Sequence, residues 1–292
     1  MPILEAPPAI SFKNILLATD FSPASDNALL YARAFAREHE SAVYTVHVSG
    51  PDEYQLLCPE AFAESSNQFE RDGVACSGIL RGLLRGLPHE VPLQGGQVWK
   101  IIKDVAARNE IDLLIVGTHG RTGVQKVLFG SVAEEVFRDV SCPVLTVAAQ
   151  ARKPSDPFKI SRVLLATDCC PGSVAPHYAA AICAKYSATL TALVVGKEFP
   201  AGGTVSSQDV KAELASIAPQ LTLLSSEPLL LRENGDPPDK ILQTAKRMDV
   251  DLIVLGAHHP RDVRTASHLP WATASQVIAG SICPVLTCAT RS

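Results

Sequence analysis

Two tandem α/β domains, each built on a doubly wound parallel sheet, are what this sequence of 292 residues predicts. The first observation behind this is an internal repeat. Lys13-Asn-Ile-Leu-Leu-Ala-Thr-Asp20 returns as Ser161-Arg-Val-Leu-Leu-Ala-Thr-Asp168. Ile111-Asp-Leu-Leu-Ile-Val-Gly117 returns as Val250-Asp-Leu-Ile-Val-Leu-Gly256, and Ser141-Cys-Pro-Val-Leu-Thr146 as Ile282-Cys-Pro-Val-Leu-Thr287. Three anchors in one order, about 140 residues apart, mark a duplicated domain rather than a solenoid unit. The second observation is that short apolar runs alternate with stretches of helical spacing in each copy, the pattern of strands joined by covering helices. The boundaries follow: a first domain over 1–149, a linker over 150–160 that holds Lys153-Pro-Ser-Asp-Pro157, and a second domain over 161–292.

In the first copy, residues 15–19 read as a strand and 23–39 as a helix with Ala28, Leu29, Ala32, Phe35 and Ala36 on one face. Residues 43–48 are the next strand. A longer excursion over 49–88 holds a helix around 60–84, followed by a weak strand near Val91 and a helix over 98–109. Leu113 to Val116 run without a polar residue, as expected of a short strand covered on both faces, and the strand ends at Gly117. A glycine-punctuated loop leads to a helix beginning at Ser131, and residues 144–147 form the last strand. The second copy repeats the plan, with strands near Val163, Leu190, Leu229, Leu252 and Val285 and helices near Ala175, Val210, Lys240 and Thr273. Each copy is therefore expected to be a doubly wound, Rossmann-like domain with a five-stranded parallel sheet covered by helices on both faces.

Composition narrows the function. With 47% hydrophobic and 19% charged residues the chain is ordinary for a globular protein. No apolar run approaches the roughly 18 residues of a membrane span. The first ten residues also lack the basic start and apolar core of a signal peptide, so a cytoplasmic protein with no membrane partner is expected. A net charge of −4, with 12 basic against 18 acidic residues up to Gln150 and 14 against 12 beyond it, makes no case for nucleic acid. Eight cysteines without a C-x-x-C pair read as reduced, mostly buried thiols.

The chemistry concentrates in residues 113–132. Gly117, Gly120 and Gly123 permit close backbone approach, and Gly130-Ser131 leads into a helix whose N-terminal N–H groups and partial positive charge suit a phosphate. Ser131 with Glu134 also has capping-box spacing, which needs no ligand, but capping does not account for Gly117, Gly120 and Gly130. No lysine follows at P-loop spacing. Asp20, Val48 and Gly117 all fall at carboxyl ends of predicted strands, where sheets of this kind bind ligands.

The spacing Gly117, two residues, Gly120, nine residues, Gly130-Ser131 is similar to the ATP-binding signature of the universal stress protein family. The resemblance extends to Ile15-Leu-Leu-Ala-Thr-Asp20-Phe-Ser, Val46-His47-Val48 and Cys142-Pro-Val-Leu-Thr-Val147. It implies the flavodoxin-like strand order 3-2-1-4-5 in each copy, and an adenine near Val48 and Val116, with Ala18, Asp20 and Gly117 around the ribose and Thr19 beside them. Gly120, Gly130, Ser131 and Val132 would cradle the phosphates, with Mg²⁺ carried by the ATP, ADP or AMP itself. It implies a nucleotide-responsive stress protein, at most a slow ATPase, whose copies pair through their last strands as an intramolecular pseudo-dimer and which is able to form a homodimer.

Asp20 and some neighbouring residues have plainer readings as well. Asp20 also suits a turn or cap before Ser22-Pro23. His47 suits a packed strand-end position, and His119 and Arg121 suit a solvated loop. In the second copy His259 stands in place of Gly120 and Trp271-Ala272 in place of Gly130-Ser131, so its phosphate site is expected to be lost while Thr273 and Gln276 keep a capping box. His258, His259, Arg261, Arg264 and His268 offer another anion site as the alternative for that loop. A non-binding pairing module is the alternative for the whole protein.

Overall fold

The computed structural model describes residues 10–49, 74, 77–90, 93–95, 98–118, 140–168, 173–196, 212, 215, 219, 221, 224–257 and 271–289. The chain divides into two compact units, Phe12–Ala149 and one that includes Gln150–Ser292.

The first unit runs β1 (Asn14–Ala18), α1 (Pro23–His39), β2 (Ala42–Ser49), a helical stretch at 77–83, β3 (His89–Glu90), β4 (Leu93–Gly95), α2 (Val98–Arg108), β5 (Leu113–Gly117) and β6 (Val144–Val147). Its strands pair in the order β3-β2-β1-β5-β6, every pair parallel, with β4 also on β2. Numbered by position this is the expected 3-2-1-4-5 arrangement. One detail differs, because the weak strand expected near Val91 is two short strands on either side of 91–92. Residues 91 and 92 lie outside the described residues.

Ile15, Leu16 and Leu17 of β1 and Leu113, Leu114 and Ile115 of β5 are fully buried, as apolar runs in a parallel sheet covered on both faces must be. One layer of the core joins Leu16, Val46 and Leu114 to Ile102 and Val105 of α2. Helix α1 begins at a Ser22 cap, whose hydroxyl accepts from the Ser25 N–H at 3.3 Å, with Pro23 in the first turn. It ends where Glu40 turns left-handed, φ 54°, and returns its N–H to the Ala36 carbonyl. Ala28, Leu29, Ala32, Phe35 and Ala36 form its buried face.

The second unit runs β7 (Arg162–Ala166), α3 (Ala175–Tyr186), β8 (Thr189–Gly196), β9 (Leu229–Asn234), α4 (Pro237–Arg247), β10 (Leu252–Ala257), α5 (Trp271–Gly280) and β11 (Val285–Ala289). Its parallel order, β11-β10-β7-β8-β9, is the same arrangement. Both units fasten their sheets by one carboxylate. Asp112 accepts from the N–H groups of Lys13 (2.7 Å) and Asn14 (3.2 Å), and Asp251 from those of Ser161 (2.7 Å) and Arg162 (3.0 Å). Each aspartate thus ties the start of one strand to the start of its neighbour, which explains why the repeat carries it. Burial pushes the Asp112 carboxyl above its ordinary range although these N–H groups, and Lys13, favour its charged form.

The stretch after Ala149 belongs to the second unit. Gln150 donates its side-chain amide to the carbonyls of Ala279 (2.9 Å) and Ser281 (3.1 Å), at the C-terminal end of α5. The Arg152 N–H reaches the Ile282 carbonyl at 2.9 Å, and its guanidinium pairs with Asp249, which also meets Arg162 at 2.6 Å. Helix α5 corrects one expectation: Trp271 and Ala272 are already helical, so Thr273 is a buried residue inside the helix rather than its cap.

The thiols of Cys142, Cys183, Cys283 and Cys288 are buried and free. Burial pushes Cys142 and Cys183 up to about 12, Cys283 up to about 11 and Cys288 higher still. Alkylation of the native protein at pH 8 is therefore expected to leave these four thiols unmodified until denaturant is added, read by mass spectrometry of the peptides. Among the described residues no helix is long and apolar enough to cross a membrane.

Candidate functional site

Strand β1 lies between β2 and β5, so the chain order reverses beside it, the place where sheets of this kind bind ligands beyond the carboxyl ends of their strands. Register aligns Ala18 with Val46 on one side and Val116 on the other. The next row brings Thr19, His47 and Gly117 together, and Asp20 and Val48 follow. The sequence-chosen residues of three separate segments thus meet at one edge.

The turn after β1 is closely held. Thr19 donates its N–H to the Val46 carbonyl at 2.9 Å and accepts the Phe21 N–H on its hydroxyl at 3.2 Å. Asp20 Oδ1 accepts from the Ser22 N–H at 3.1 Å and from the Ser25 hydroxyl. These are the turn and cap contacts of the plainer reading. They leave Asp20 Oδ2 buried with no hydrogen-bond partner among the described residues. A buried carboxylate oxygen without a donor is costly, and a ligand hydroxyl or amine would satisfy it. Burial pushes the Asp20 carboxyl up, but the hydrogen bonds from Ser25 and Ser22 outweigh it and hold the group below its ordinary value of 3.8.

That depression has a sign. Asp20 stabilises the fold fully above pH 3.8, and its contribution is lost as pH falls through the lower native value. The difference in unfolding free energy between the wild type and Asp20→Asn is expected to stay flat from pH 7 to pH 5 and to shrink below 3.8, followed by denaturant melts of the nucleotide-free protein.

Gly117 has a role the sequence did not disclose. A Cβ there would lie 2.7 Å from both Ala24 C and Ser25 N, so the end of β5 packs directly on the first turn of α1. The close approach expected of this glycine is made to a helix. At the matching position of the second copy, among the described residues, a Cβ on Gly256 would meet the Ser173 hydroxyl at 3.1 Å and the Ala175 Cβ at 3.8 Å. There α3 starts at Ala175, and Val174 supplies no side-chain cap.

His47 sits half-buried with Nδ1 2.9 Å from the Thr19 carbonyl, and the Phe21 ring meets its imidazole edge-on at 4.9 Å. Val48 is placed by its backbone, opposite Gln94 of β4. Gly120, Gly130, Ser131 and Val132 lie outside the described residues, as do His119, Arg121, Glu134 and the helix expected from Ser131. So do His258, His259, Arg261, Arg264 and His268. Among the described residues no three His, Cys, Asp or Glu side chains gather to hold a metal ion.

The fold defines a duplicated, doubly wound α/β protein. The chain belongs to the universal stress protein family, whose model matches residues 11–148 and again 159–289. It is 30% identical over 139 residues to the universal stress protein MJ0531 of Methanocaldococcus jannaschii, which spans 47% of this chain and 82% of that protein. It is 32% identical over 145 residues to a universal stress protein of Thermus aquaticus, across 47% of this chain and 98% of that one. Each relative thus matches about half of this chain. Among solved structures, a universal stress protein from Archaeoglobus fulgidus shares the fold across 95% of this chain and 98% of its own, with a TM-score of 0.68 at 21% identity. The functionally unknown protein PA1789 from Pseudomonas aeruginosa shares it across 96% of this chain and 93% of its own, with a TM-score of 0.57 at 17% identity.

Proposed function

We propose that the first copy binds an adenine nucleotide, ATP or its ADP or AMP relatives, and that the protein acts as a nucleotide-dependent regulator in a stress response. The observation that carries this is the Asp20 carboxylate at the strand-order reversal, with Oδ1 committed to the turn and Oδ2 buried without a donor among the described residues. A ribose hydroxyl is a donor suited to that oxygen. Ala18, Thr19, Val116 and Gly117 line the same edge of the sheet, and Val48 follows one row further. Beyond them the sequence continues through Gly120 to Gly130-Ser131-Val132, backbone donors suited to phosphates, with Mg²⁺ arriving on the nucleotide.

The second copy keeps Asp168 and Gly256 but has His259 and Trp271-Ala272 where the first has Gly120 and Gly130-Ser131. It serves as a structural partner of the first, without a phosphate site of its own. The test is the nucleotide content of freshly purified protein, released by denaturation and quantified against chain. One adenine nucleotide per chain is expected. Two would overturn the assignment of the second copy. None, together with no uptake of Mg-ATP at millimolar concentration, would overturn the nucleotide reading itself.

A further inference from the structure

The turn that presents Asp20 contains a strained residue. Phe21 has φ 59°, a left-handed conformation that is unfavourable for a non-glycine residue and persists where its surroundings impose it. His47 supplies two such constraints at once. A carbonyl oxygen only accepts, so the 2.9 Å contact to Thr19 places a proton on His47 Nδ1 and makes the imidazole a donor to the residue before Asp20. Its ring also backs the Phe21 side chain, on the residue after Asp20.

The second copy provides a comparison within the same chain. Ala18 pairs with Val46 and Ala166 with Leu193, so the position of His47 falls to Val194. The ladder bond just before the turn is the same in both, Thr19 N–H to Val46 and Thr167 N–H to Leu193, at 2.9 and 3.0 Å. The position of Phe21 falls to Cys169. The strand pair and its last ladder bond are thus built without the imidazole in the copy that also has other residues in place of Gly120, Gly130 and Ser131. In the sequence, the His47 and Phe21 pair accompanies the phosphate residues.

Resting on the nucleotide reading of this site, we propose that His47 is a positioning residue for ligand binding, clamping Thr19 and Phe21 so that Asp20 Oδ2 is held for the nucleotide. His47 acts through Asp20 and need not touch the ligand. Because Nδ1 donates whether the ring is neutral or charged, the clamp holds in both states.

The test uses the full chain in four forms: His47→Val, His47→Asn, Asp20→Asn, and His47→Val with Asp20→Asn. His47→Val copies the second copy, whose β8 carries Val194 at the same register, and so is compatible with the strand. Asn carries its amide nitrogen on Cγ as His carries Nδ1, and restores a donor. In Mg-ATP titrations His47→Val is expected to weaken binding about tenfold, His47→Asn to recover most of that, and His47→Val to cost nothing further in the Asp20→Asn background. In nucleotide-free protein the ¹³C resonance of the Asp20 carboxyl, followed over pH, is expected to titrate higher in His47→Val than in wild type and to return in His47→Asn. An unmoved Asp20 titration in His47→Val, or an equal loss of affinity with and without Asp20, overturns the proposal. A wild type that takes no nucleotide, while its Asp20 titration still answers to His47→Val, overturns the nucleotide reading and leaves the positioning role standing.

Discussion

Gly130→Trp is expected to lower the affinity of the chain for Mg-ATP by about 100-fold or more, equivalent to at least ~2.8 kcal/mol, while leaving the melting curve in place. The substitution gives the first copy what the second already carries, since Trp271-Ala272 stands where Gly130-Ser131 stands. A backbone N–H can approach a phosphate closely at glycine, and an indole at that position occupies the space the anion needs. The second copy shows that a helix accommodates these residues, because Trp271 and Ala272 both lie in α5, which buries Ala274, Val277 and Ile278. Isothermal titration and circular dichroism on the same sample check both halves of the expectation. Unchanged affinity in a folded variant would remove Gly130 from the phosphate contacts.

Gly117→Ala is expected to cost about 3 kcal/mol of stability in the absence of any nucleotide, at the upper end of ordinary overpacking. The atoms 2.7 Å from the new Cβ are backbone atoms of Ala24 and Ser25, so no side-chain rotation relieves the contact. Either α1 moves off β5 or β5 shifts in the sheet, and both disturb the turn that fixes Asp20. Gly256→Ala is the control, expected to cost under about 1 kcal/mol because its nearest neighbour among the described residues is a serine hydroxyl that can rotate away. Denaturant unfolding of the two variants, followed separately from binding, distinguishes a packing glycine from a ligand-contacting one. Equal costs at the two positions would refute the assignment.

The parts of this fold that follow from local apolar runs were legible in the sequence. Leu16, Leu114 and their neighbours are consecutive hydrophobic residues, and burial on both faces is the state in which such runs lose least to water. Strand order came instead from the family resemblance, since periodicity carries no information on which strands are neighbours. What stayed hidden depends on contacts between distant segments. Nothing near Gly117 announces that α1, some 90 residues earlier, leaves no room for a Cβ. Asp112 and Asp251 were visible as repeated letters, yet their role needs the backbone of strands about 90 or more positions away. The Thr273 cap failed for a different reason: a Thr and a Gln at capping-box spacing also occur inside a helix, and only the helix start discriminates. Within the candidate site, Asp20, Val48 and Gly117 were picked out by their place at strand ends, whereas the bond from His47 to the Thr19 carbonyl has no sequence signature.

The contacts of Gln150 and Arg152 decide where this gene can be cut. A second-copy fragment opening at Ser161, the first residue of the repeated sequence, would discard the amide that covers the last carbonyls of α5 and the guanidinium that meets Asp249. Those carbonyls belong to the end of a helix, where partners must come from outside the helix itself. The stretch that reads as a spacer is thus a cap delivered from upstream, and the natural seam between the copies lies before Gln150 rather than after it.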